Sequence, residues 1–274
     1  MNLVIAMLIV AGAAGLAIGA MLLVRRRAPD GSYFNDGDRA AGVFGVLATG
    51  FAVLLGFVVF LAFSSFDSAR AGAETEAQVV TQQVETAQFF PPSVSDKLSG
   101  DLVCYARSVA GVQWERMENG TLGEELNPWA AATFRTLLTV EPETPSEQSA
   151  YDRFLEQRSA REEARSARIH GAVGVIPTTL WIVLFFSAAL IFAFMLFFAD
   201  SGERAVVQAM LMGSVVSVLT ATLLLLYALD NPFHPGVGGL KPVAMERALV
   251  IIDQELDVAG VDVSIPCDAA GNPL

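Results

Sequence analysis

Four unbroken apolar blocks stand out along the chain, at about Leu3–Val24, Ala41–Phe63, Val173–Ala199 and Ala205–Leu229. Each is long enough for a helix to cross a bilayer, which takes about 20 residues. Between the second and third blocks the pattern changes. From Asp67 to Gly171 apolar positions recur among charged ones, and Leu98, Leu102, Tyr105, Val109, Val112 and Met117 fall mostly three or four apart. That spacing marks the buried stripe of an amphipathic helix. Asp67–Gln88 extends the second block without a breaker, so one long helix is expected to leave the bilayer and stop at Pro91 and Pro92. Asn119-Gly120 closes the next helix. Asn127-Pro128 then opens another with an N-cap and a first-turn proline, and Thr144-Pro145 repeats the signal before a charged helix running towards His170. In that last helix Glu156, Arg158, Arg161, Glu162, Glu163, Arg165 and Arg168 read as a solvated face with helix-spaced ion pairs.

The links set the order of the elements. Ala28–Arg39 is rich in Gly, Asp and Asn, and Asp200–Arg204 is shorter still. The expected fold is therefore all-α: a four-helix integral membrane protein, two transmembrane hairpins separated by an extramembrane helical domain. Residues 1–66 form the first hairpin, 67–171 the helical domain, 172–229 the second hairpin, and 230–274 an interfacial loop, a short helix from about Val243 to Leu256 and, after Asp257, a tail expected to be extended or disordered. Asp230 and Asn231 are expected to cap the end of the fourth span, and Pro232 and Pro235 forbid its continuation.

Composition agrees with a membrane protein, at 53% hydrophobic and 17% charged residues. A net charge of −12 argues against nucleic acid as a partner, since phosphates need Lys and Arg. Positive charge follows the first block as Arg25, Arg26 and Arg27. This order is the reverse of a cleavable signal, so the block is expected to be a retained anchor. With Arg39, these residues favour a cytoplasmic first link and a helical domain outside. Arg158, Arg161, Arg165 and Arg168 argue the other way. The two cysteines, Cys104 and Cys267, are then either a disulfide tying the tail to the domain or two unrelated thiols.

The order of several short segments resembles a bestrophin-like family of bacterial membrane proteins. These are LLGFVVFLAFSSFDSAR (Leu54–Arg70), Trp114 in QWERMENG, IPTTLW (Ile176–Trp181) and LDNPF (Leu229–Phe233). The resemblance runs from about Gly42 to Leu256. It implies a homo-oligomer, pentameric as bestrophins are, conducting small anions through a pore whose apolar neck is lined by the second span. Val53, Phe57, Phe60 and Ser64 share one face of that span and are the pore-lining candidates. Asp230, Asn231, Pro232 and Phe233 match the motif after the fourth span. The acidic run that helps bestrophins hold calcium is replaced by His234, Pro235 and Gly236, so no metal site or cofactor is expected. The resemblance also implies the inner membrane of a bacterium and a cytosolic helical domain, the latter against the charge reading.

Asp, Glu, Lys, Arg and His are absent from all four blocks, which disfavours proton relays and coupled pumps. His170 and His234 fall on the same side of the bilayer, where they are either a paired pH sensor or ordinary interfacial residues. Phosphate-loop, serine-elbow and metalloprotease patterns are missing, so no enzyme activity is expected. Three classes remain, in descending order: an oligomeric passive channel, a non-conducting sensor or assembly protein whose helical domain binds a partner, and a stator-like component of an ion-driven motor.

Overall fold

The computed structural model describes residues 2–30, 33–121 and 125–274; Gly31 and Ser32 of the first link lie outside it. The described residues form α1 (Leu3–Arg25), α2 (Gly37–Ala87), α3 (Pro92–Ser108), α4 (Trp114–Glu118), α5 (Pro128–Leu137), α6 (Pro145–His170), α7 (Thr178–Phe197), α8 (Ala205–Asp230) and α9 (Val243–Ala259). A π-helical turn, Val109–Gln113, joins α3 to α4. Four of these helices, α1, α2, α7 and α8, are long and apolar enough to cross a membrane. The caps expected from sequence are present. Asn127 accepts from the backbone N–H of Trp129 and Ala130, and Thr144 accepts from that of Glu147. The third span starts later than its apolar block, because Pro177 opens α7 and the preceding residues are irregular.

The chain divides into two compact units, with α2 contributing to one as far as Ser65 and to the other from Phe66. In the membrane unit Phe51, Leu55, Val58 and Ala62 of α2 pack with Leu184 and Ile191 of α7 and Leu226 of α8. Helix α1 instead lies along α8, with Ala17 and Met21 against Met212. Its last residue is anchored too: the Arg25 guanidinium donates to the carbonyls of Asp200, Ser201 and Glu203 in the link between α7 and α8. The apolar windows of α1, α2, α7 and α8 are only 6%, 22%, 11% and 17% buried, so lipid or further copies must cover the rest.

The helical unit has its own core, built on Val80 and Val84 of α2, Leu98, Leu102 and Tyr105 of α3, Phe154 of α6, and Met245 and Ile252 of α9. Gly72 lets α6 approach α2 closely, since a Cβ there would sit 2.7 Å from the carbonyl oxygen of Ala164. The tail beyond α9 is irregular but held in place. Ser264 N–H donates to Asp96, and Cys267 bridges to Pro273.

Asp101, on α3, is an unusual member of this unit. Burial pushes its carboxyl up from 3.8 to about 6 against the pull of Lys97 and Arg135, and its Oδ2 has no hydrogen-bond partner. A raised folded-state value means that Asp101 contributes stability while protonated and loses it as pH climbs from about 4 through 6. Asp101→Asn is therefore expected to stabilise the protein at pH 7 by about 1–2 kcal/mol and to flatten melting temperature against pH across that window. Thermal melts at a series of pH values check this.

Candidate functional site

Helix α2 has two distinct faces within the membrane unit. One is the buried stripe Phe51, Leu55, Val58 and Ala62. The opposite face carries Val46, Thr49, Val53, Phe57, Phe60 and Ser64 at steps of three and four, all exposed in the protomer. Phe57 and Phe60 are 67% and 66% exposed, unusually open for phenylalanines on a helix whose other side is packed. All four pore-lining candidates from the sequence thus share the face turned away from the protomer's own core.

The motif after the fourth span is divided between the units. Asp230, the last residue of α8, is buried, and its carboxylate reaches across to the start of α7. It accepts from the backbone N–H of Ile176 at 3.0 Å and from the Trp181 indole at 3.4 Å. The sequence segments IPTTLW and LDNPF therefore meet at this side chain, which links two helices rather than merely capping its own. Asp230→Ala would orphan the Ile176 N–H in a buried position, at a cost of about 1–3 kcal/mol. A lowered melting temperature in detergent is the expected readout; an unchanged one would mean that water satisfies these donors.

Asn231–His234 belong to the helical unit. Phe233 is buried, packs edge-on against Trp114 at 5.2 Å between ring centroids, and sits in a small cluster with Ala69, Met117 and Ile169. Two residues singled out from separate sequence motifs are thus partners. The Pro232 carbonyl accepts from Leu240 N–H at 2.7 Å and closes the loop. Each histidine is engaged locally: Nδ1 of His170 with the Ser166 carbonyl, and Nδ1 of His234 with the Asn231 carbonyl.

The charged helix α6 differs from its expected solvated face. Arg161 and Arg168 are fully buried, continuing the inward stripe of Ala150, Phe154, Gln157 and Ala164. Arg168 makes a bidentate pair with Glu76 of α2, also fully buried, and reaches Gln113 at 3.2 Å from the π-helical turn. Tyr105 donates its hydroxyl to the same Glu76 carboxylate at 2.6 Å, and the Arg161 guanidinium lies 4.6 Å from the Tyr105 ring centre while donating to Gln83. Burial and the adjacent Glu76 charge push the Tyr105 hydroxyl well above its usual range. For Arg168 burial opposes the charge, but the Glu76 carboxylate outweighs it and holds the guanidinium charged. Arg158 stacks on Phe134, and Arg165 donates to the Glu125 carbonyl. Arg161 and Arg168 turn inward because their planar forks find a carboxylate, amides and an aromatic face there. Sequence reasoning missed this network, although the three-and-four spacing that carries Arg161 and Arg168 was present in it.

Cys104 on α3 and Cys267 in the tail are paired as a disulfide, with Cα atoms 5.8 Å apart.

These features define a multi-pass α-helical membrane protein with a sizeable helical unit between its second and third spans. The family model of the Bestrophin-like domain matches residues 11–243, and the chain belongs to that family. Its fold is also that of solved relatives. One bestrophin homolog from Klebsiella pneumoniae, crystallised as a point variant, superposes with a TM-score of 0.67 at 15% identity, covering 94% of this chain and 98% of its own. A second variant from that organism gives 0.66 at 16%, covering 92% and 97%. A further crystal structure, described as a membrane protein, gives 0.65 at 17%, covering 94% and 99%. A search of curated proteins finds no match.

Proposed function

We propose that the protein is a passive channel for small ions, a homo-oligomer whose protomers each cross the bilayer four times as two hairpins and contribute α2 to a central path. The observation that carries this reading is the two-faced α2. Its buried face satisfies the protomer, which leaves Val53, Phe57, Phe60 and Ser64 presented outward as one continuous stripe. A ring of such stripes forms an apolar constriction of the kind that gates by dewetting. Spans free of ionisable residues suit passive conduction rather than proton-coupled transport. A pentamer conducting anions is the specific form that the likeness to bestrophins favours.

Native mass spectrometry of the detergent-purified protein tests assembly, and ion flux in liposomes tests conduction. A single pentameric species with halide flux is the expected result. Cation flux without halide flux would keep the channel and overturn the anion assignment; a persistent monomer or dimer leaves no ring to line. Phe57→Ala is expected to raise single-channel conductance by widening the neck. Because Phe57 is largely exposed in the protomer, the change opens no core cavity, so its melting temperature should hold. Unchanged conductance would place Phe57 on a lipid-facing surface.

A further inference from the structure

We infer that the helical unit and the C-terminal tail face the oxidising side of the membrane, where Cys104 and Cys267 are joined, and that the two short links face the cytoplasm. This is independent of whether the protein conducts.

The first support is the construction around the cysteines. Both are buried, at 0% and 4% exposure, and they lie 163 residues apart in sequence. The tail is docked by contacts that do not involve sulfur. The Trp129 indole donates to the Gly271 carbonyl at 2.7 Å, Arg107 donates to the carbonyls of Cys267 and Asp268, and Ser264 N–H donates to Asp96. Gly271 adopts a left-handed backbone at φ +83°, and a Cβ there would fall 2.3 Å from the backbone nitrogen of Ser108. The tail therefore brings Cys267 to Cys104 with Cα atoms 5.8 Å apart, within the range that a disulfide spans without backbone movement. Such structural bonds persist in oxidising compartments and are rare where thiol buffers keep cysteines reduced.

Charge is the second and separate support. Arg25, Arg26, Arg27 and Arg39 flank the first link and Arg204 ends the second. Short-link arginines favour the cytoplasm. Of the α6 arginines that argued the opposite orientation from sequence, Arg161 and Arg168 are fully buried and Arg168 is paired with Glu76, while Arg158 and Arg165 are half-buried, one over the Phe134 ring and the other on the Glu125 carbonyl. They are not free charges at a membrane edge. Chain parity then sets the remaining segments. With both links inside, the residues before α1, the helical unit and the tail all lie outside, opposite to the cytosolic domain that the bestrophin resemblance implies.

Forming the bond removes two protons and two electrons from the thiols. A disulfide-carrying oxidant of that compartment takes them by thiolate exchange and leaves as a dithiol.

Whole cells test both halves. Free thiols are blocked with N-ethylmaleimide, the protein is denatured, and maleimide–polyethylene glycol is added with or without prior reduction. The expected gel pattern is unshifted without reductant and doubly shifted with it; immediate blocking of both thiols overturns the inference. For orientation, Val258→Cys, at a position 90% exposed on α9, is expected to react with a membrane-impermeant maleimide in intact cells. Asp38→Cys, exposed at the start of α2, should react only after permeabilisation. The reverse labelling pattern overturns the orientation even if the bond is present.

Discussion

Glu76→Ala is expected to destabilise the helical unit by about 3–5 kcal/mol, the usual cost of leaving a buried charge without its partner. Arg168 is fully buried and paired with this fully buried carboxylate, whereas the neighbouring buried guanidinium, Arg161, has Glu162 at 3.5 Å. Removing it strands Arg168 at once and takes the acceptor from the Tyr105 hydroxyl at the same time. Gln113 and the Met117 sulfur remain, but neither carries charge. Thermal unfolding in mild detergent, followed by tryptophan fluorescence from Trp114 and Trp129, reads the effect. The companion variant Glu76→Leu/Arg168→Met is expected to recover much of the loss, because a buried pair exchanged for apolar residues of similar volume is often neutral or better. If Glu76→Ala alone melts with the wild type, the pair contributes nothing net and Arg168 has other means of neutralisation.

Reduction of the Cys104–Cys267 bond, or Cys104→Ser, is expected to cost about 2–4 kcal/mol. The closed loop spans 163 residues, for which the chain-entropy account alone gives about 5 kcal/mol. That figure assumes a fully disordered reference chain. Here α7 and α8 lie inside the loop and stay helical in detergent or lipid after the helical unit unfolds, so the entropy released is smaller. Melting with and without a phosphine reductant checks the size. Equal melts would mean that the docked tail holds without its sulfur link, through Trp129, Arg107 and Asp96.

Much of the architecture was legible before any coordinates, because membrane spans and helix caps are local signals. Long apolar blocks announce spans, Asn127-Pro128 and Thr144-Pro145 announce helix starts, and both starts stand in the structure. The face of α2 carrying Val53, Phe57, Phe60 and Ser64 was equally readable, since helical periodicity alone puts those residues together. Which span packs on which was not readable. Helices apolar on all sides carry no stripe to reveal their partner, and only the folded chain places α1 along α8 and α2 against α7. Asp230 reads as a cap at the end of α8, yet its acceptors are used by Ile176 and Trp181, more than 45 residues away in the chain. The arginines of α6 read as solvated because charged residues are seldom buried. Nothing local discloses that Glu76, 92 positions earlier than Arg168, waits opposite. Sequence by itself determined the helices, their order and the outward face of α2, all set by the next few residues. The tertiary structure alone decided the span partners, the Asp230 link, the Glu76–Arg168 pair and the joining of Cys104 to Cys267. Those depend on contacts between residues far apart in the chain, for which local patterning carries no signal.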